Sequence, residues 1–239
     1  MKEEGCMKII IFLLGCFTIG LVAQDTNSAK VSFLIGKVSV KSSTDTKWKS
    51  LKKNDTIENG DTVMTGNGSL TTILYKGSEL KISPNSTIVV SSLYTKEVEG
   101  KIEVKNGGVW SKLVNLGGQK FTTVSPTSTA GVRGTAFATI YDEKSKVGMH
   151  CVCEGKVEVT SNETGGKSKL VEKGNGSSLK MGSSEIDMSS YKNLIVKKEA
   201  MPEFETKIKD SPLLKNCLSC HTPKGWSATG VVKDDKYGK

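Results

Sequence analysis

From Val31 onward the chain runs in short apolar bursts separated by turn clusters. Gly36-Lys37-Val38-Ser39-Val40 recurs as Gly100-Lys101-Ile102-Glu103-Val104 and again as Gly155-Lys156-Val157-Glu158-Val159. Each copy is a glycine followed by period-two alternation, the pattern of a strand entered from a turn. Spacings of 64 and 55 residues are too irregular for a solenoid. They fit a β-roll or sandwich in which similar strand starts stack across sheets. Asn59-Gly60-Asp61, Gly66-Asn67-Gly68 and Lys76-Gly77-Ser78 are turn signals at the spacing of short meandering strands. Long helical periodicity is absent as far as Lys180. The pattern predicts an all-β domain over 24–180, a linker over 181–210 and a tail over 211–239 that is irregular or partly helical. Within the linker, Pro202 opens a short helix (PEFETKIKD) with acids early and lysines late, which suits the helix dipole.

Ahead of the strands, Met7-Lys8 introduces Ile9 to Ala23, an apolar run of 15 residues without a charge. It is too short for a comfortable membrane span and suits the core of a secretory signal. Residues 1–23 are therefore expected to be a signal peptide. Glu3 and Glu4 offset Lys2 and Lys8, which favours Met7 over Met1 as the start. Leu13-Leu14-Gly15-Cys16 offers a second reading as a lipobox, with Cys16 the lipid anchor. The residues after Cys16 stay apolar, so ordinary cleavage is preferred. Both readings place the mature protein in the periplasm or elsewhere outside the cytoplasm, on the membrane only if Cys16 is acylated.

Composition narrows the chemistry. The formal charge is +9, and Arg133 is the one arginine among 34 basic residues. A surface built on lysine argues against nucleic acid, whose readers use the arginine fork. Only His150 and His221 are present, which excludes chemistry needing several histidines. There is no Gly-x-Ser-x-Gly and no Walker loop, so no catalytic set is expected. Two of the six cysteines fall in the leader, leaving Cys151, Cys153, Cys217 and Cys220, too few for a disulfide scaffold.

The stretch from Val31 to Gly174 resembles the FecR-like periplasmic domain. The matching residues are Gly36-Lys37-Val38-x-Val40, Trp48, Leu51 and Asn59-Gly60-Asp61-x-Val63-x-Thr65-Gly66-x-Gly68-Ser69. Gly77-Ser78-x-Leu80 and Pro84-x-Ser86 follow. The most specific block runs from Ser125-Pro126 through Ala130-Gly131-Val132-Arg133-Gly134-Thr135-x-Phe137, and Glu154-Gly155-Lys156-Val157-x-Val159 with Lys173-Gly174 closes it. The resemblance implies an all-β extracytoplasmic domain that relays or scaffolds and does not catalyse. In the iron-transport regulators of that family, the domain meets an outer-membrane receptor and signals through a membrane helix to a sigma factor. No cytoplasmic anti-sigma segment precedes the apolar run, so regulator status is not expected to carry over.

A lone arginine in a lysine-rich chain implies a job lysine cannot do. A planar guanidinium clamping the carbonyls or a carboxylate of a tight turn is such a job. Gly131 and Gly134 beside Arg133 would allow the close backbone approach. The expectation is a structural turn, and the alternative is an arginine that binds an anion or a partner.

Cys217-Leu218-Ser219-Cys220-His221 is a C-x-x-C-H run, the signature of covalent haem c attachment. Both thiols add to the vinyls, and His221 becomes the proximal ligand of the haem iron. Its chance occurrence at this composition is roughly one in a thousand. Few residues follow His221, so a sixth ligand would come from Met201, Met188, His150, a lysine or a partner, or be absent. The competing readings are a Cys217–Cys220 disulfide, a thioredoxin-like pair, or a zinc site completed by Cys151 or Cys153. In a strand, Cys151 and Cys153 share one face and His150 and Val152 the other, with buried apolar cysteine the preferred reading. The chain is thus expected to be an exported FecR-like protein with a haem tail, transferring electrons or sensing redox state or a ligand beside an envelope partner. The alternative is a relay module without haem, and a peroxide or gas enzyme comes third.

Overall fold

The computed structural model describes residues 28–114 and 116–190. They form seventeen strands and no helix. In chain order these are β1 (Ala29–Ile35), β2 (Val38–Lys41), β3 (Lys49–Ser50), β4 (Thr56–Ile57), β5 (Thr62–Thr65), β6 (Leu70–Tyr75), β7 (Ser78–Ile82) and β8 (Thr87–Ser92). Then come β9 (Gly100–Lys112), β10 (Phe121–Val124), β11 (Ser128–Val132), β12 (Ala136–Asp142), β13 (Val147–Glu154), β14 (Lys156–Ser161), β15 (Ser168–Glu172), β16 (Asn175–Lys180) and β17 (Asp187–Ser190).

Backbone pairing sorts them into two open sheets. The first runs β4-β1-β6-β7-β9-β12-β13-β16-β17. The second runs β3-β2-β5-β8-β9-β10-β11-β14-β15. Among the described strands every pairing is antiparallel except β9 with β10. The 13-residue β9 belongs to both sheets: up to Asn106 it pairs with β8, and from Gly107 it pairs with β12. Gly107 makes the bend, at φ 79°, where a Cβ would overlap Ser86. No other residue fits there.

The recurring glycine motif marks two of the crossings between sheets. Gly36 (φ 75°) turns the chain from β1 to β2, and Gly155 (φ 79°) turns it from β13 to β14. Gly100, the third copy, opens β9 without a change of sheet. Its missing side chain makes room for the Phe121 ring, which a Cβ would overlap.

Alternation then fills the space between the sheets. Ile73, Ile82, Phe137, Val152 and Leu179 of the first sheet meet Val63, Ile88, Val104, Val157 and Val159 of the second in one core. Each such side chain contributes about 1.5–3 kcal/mol on full burial. Tyr75 and Tyr94 meet edge to face at 5.0 Å. The Tyr75 hydroxyl donates to the Tyr94 carbonyl at 2.8 Å, so both polar tips are satisfied inside. Trp48 lies outside this core, 42% exposed, with Lys41 Nζ 5.4 Å from its ring centre.

The sheet continues past Lys180 into what the composition marks as linker. β17 pairs with β16, and Ile186 ahead of it is buried. An edge strand written Asp-Met-Ser-Ser shows no apolar alternation, so its pairing is invisible in sequence. The expected signal peptide, Cys16, the helix expected from Pro202, and Cys217, Cys220 and His221 lie outside the described residues.

Candidate functional site

β11 leaves the second sheet at Val132, and Arg133-Gly134-Thr135 carries the chain to β12 in the first. The turn is closed by backbone. The Leu113 N–H donates to the Thr135 carbonyl at 2.9 Å, and Gly155 packs close enough that a Cβ would sit 2.8 Å from Thr135 Cγ2. The Arg133 side chain is exposed and makes no hydrogen bond or ion pair among the described residues. The turn at Gly131, Arg133 and Gly134 is present, but the guanidinium does not clamp it. Backbone bonds and close glycine packing already do that work.

Arg133 instead lines an open cleft of about 440 Å³ on the outer side of the second sheet, together with Lys120, Gly131, Lys156, Glu158 and Leu170. Gly131 lets Lys120 lie flat across β11, since a Cβ there would come within 2.7 Å of Lys120 Cε. Lys156 is held by Glu172 at 2.6 Å, and Glu158 is the single acid lining the cleft. Leu170 is 54% exposed at its edge. A guanidinium fork beside a second cation and an apolar edge can take a carboxylate on a partner's surface. Of these residues, sequence reasoning singled out only Arg133, Gly131 and Gly134. Lys156 stood in the repeat, and nothing in the sequence marked Lys120 or Leu170.

His150 sits between the sheets with no exposure. Its Nε2 is 2.8 Å from Ser128 Oγ of β11, and its Nδ1 is 3.1 Å from Thr139 Oγ1 of β12. Ser128 joins Ser125 at 3.1 Å, so a chain of hydroxyls ties the two sheets together. Burial lowers the imidazole pKa to about 4, leaving it neutral at pH 7. With both nitrogens occupied, His150 is a structural residue and does not offer itself as a haem ligand. Met188, another upstream candidate, stands 42% exposed on β17, whereas Met201 lies outside the described residues.

Cys151 and Cys153 do share a face, as the strand period requires, and both are buried. They pack with Trp110, Ala136, Ala138 and Met149 in a second apolar cluster, and do not form a disulfide with each other. Among the described residues no group of His, Cys, Asp and Glu could hold a metal ion.

Residues 61–158 match the family profile described as FecR protein. The FecR match runs from the turn before β5 into β14, and so contains His150 and the Arg133 corner. Two solved structures of a candidate anti-sigma factor from Parabacteroides distasonis are also similar to the chain. One is 14% identical, over 54% of this chain and 59% of that one, with a TM-score of 0.47. The chain therefore spans about three-fifths of that protein's length. The other is 15% identical, over 65% of this chain and 74% of that one, with a TM-score of 0.47. No curated protein matches the chain.

Proposed function

We propose that the protein is a non-catalytic docking and relay module of the cell envelope. The observation that carries this reading is the FecR match over residues 61–158. The open cleft at its corner supports it, because the one arginine of the chain is exposed there and has no side-chain partner among the described residues. A partner presenting an acidic side chain beside an apolar one suits that surface. A photo-crosslinker placed at Arg133 in exported protein should trap the same envelope protein in repeated preparations, and one placed at Leu74 should not. Equal trapping at both positions would remove the cleft from the account.

The tail adds a redox group to this reading. Cys217, Cys220 and His221 have the spacing for covalent haem c, with His221 as the proximal iron ligand. Export through the expected leader would deliver them to the compartment where such haem is attached. Cys217→Ser or Cys220→Ser should abolish or weaken haem staining on a denaturing gel, and His221→Ala should impair attachment. The relay module without haem gives a different result: colourless protein, a Cys217–Cys220 bond, and a silent His221→Ala.

A further inference from the structure

We propose, resting on the docking function above, that the free edge of β15 takes up an extended acidic segment of a partner protein as a further strand of the second sheet. The two sheets end in four strands, β4 and β17 in the first and β3 and β15 in the second. β3 and β4 have two residues each, too short to template a strand, and β17 has four. β15 has five, and all but Val171 are exposed. A very short margin is one protection against strand addition, and β15 lacks it.

Register shows which backbone groups that edge offers. The Ser161 N–H donates to the Lys167 carbonyl at 3.0 Å, and the Lys173 N–H donates to the Gly155 carbonyl at 3.1 Å. Between these two bonds β15 pairs residue for residue with β14, from Thr160 opposite Ser168 to Lys156 opposite Glu172. Backbone groups alternate in direction along an antiparallel strand. Lys169 and Val171 therefore turn N–H and C=O toward β14, and Ser168 and Leu170 turn theirs outward. Among the described residues no backbone group bonds to these outward ones.

The side chains beside this edge select the guest. Leu170, 54% exposed, lies opposite Glu158 and, one strand further, Gly131, on the face that holds the Arg133 cleft. Lys167, Lys169 and Lys173 stand along β15 and at its ends, and Lys120, Arg133 and Lys156 line the cleft. Glu172 holds Lys156, Glu185 holds Lys167, and Glu158 is the remaining acid of the cleft, so the margin stays basic. Acids in the guest offset that charge. A second copy paired about Leu170 would instead set Lys167 against Lys173, and like charges opposed across strands destabilise the pair. The guest is an acidic strand from a partner, held by main-chain bonds along β15 and by an apolar side chain against Leu170.

The test is amide hydrogen exchange of the full chain, read residue by residue by NMR, with a capped peptide of alternating Glu and Val as the probe. The peptide should slow exchange at the Ser168 and Leu170 N–H groups about tenfold or more, and leave Lys169 and Val171, already bonded to β14, within about twofold. No variant has to fold for this measurement. Slowing shared evenly by the four amides, no slowing, or equal slowing by a peptide of alternating Lys and Val overturns the proposal. So does protection of Ser168 and Leu170 in the protein alone, which would mean that its own chain or a second copy fills the edge. Leu170→Pro removes one outward N–H and no bond to β14, a change that an edge strand tolerates, whereas Leu170→Thr keeps that N–H. Peptide affinity should be about tenfold or more lower in the proline variant than in the threonine variant. Equal affinity overturns strand addition and leaves the Arg133 cross-link standing. Loss of that cross-link, with alternating protection intact, removes the cleft and leaves the edge.

Discussion

Two side chains with similar claims in the sequence have opposite fates. Arg133 is exposed, so Arg133→Lys should leave stability within about 0.5 kcal/mol of the parent in urea titration. A loss of about 1–3 kcal/mol would restore the buried clamp. His150 is buried and neutral, with its folded pKa of about 4 below the ordinary value of 6.5. The unfolded chain therefore binds the proton more readily between those values. This residue's contribution is full above pH 6.5, is lost as pH falls toward 4, and amounts to about 3 kcal/mol. His150→Gln should flatten the pH dependence of stability in that window relative to the parent, and an unchanged slope would mean the imidazole is accessible. Sequence could say that Arg133 had a distinct role. It could not say which role, because exposure at a corner depends on how Gly155 and Leu113, distant in the chain, close the turn beneath it. It placed Cys151 and His150 on opposite faces correctly, since that follows from strand period alone.

At the scale of elements, glycine was the most legible signal and polar edge strands the least. Gly36 and Gly155 stood out in the sequence as strand entries, and they prove to be crossings between sheets. Gly107 gave no such sign, because its requirement arises from Ser86 across the bend. Gly107→Ala should cost more than about 2 kcal/mol, as it strains the backbone and collides inside the one strand both sheets share. Gly165→Ala, with a similar φ of 71° and nothing within 4 Å of its Cβ, should cost only about 1 kcal/mol. Thermal melts of the two variants test the difference, and equal losses would mean β9 tolerates a different bend. β17 escaped notice because main-chain pairing, not side-chain pattern, holds it.

For the whole molecule, the sequence pattern pointed to an all-β fold, and the two sheets sharing β9 carry it out. The long β9 could not be foreseen as a member of both, since Asn106-Gly107-Gly108 interrupts its alternation as a turn would, and Val104 before it and Val109 after it, five residues apart, both face the core. In the function proposed above, that sandwich follows a cleaved leader, docks through the Arg133 corner and carries haem on its C-x-x-C-H tail. The most direct check is the intact mass of protein made with its own leader in a host with c-type maturation, recovered from the envelope fraction. The expected product is a chain that begins after Ala23 and carries one covalent haem on Cys217 and Cys220. A chain that retains its leader, remains in the cytoplasm and has both of those cysteines unmodified would contradict it.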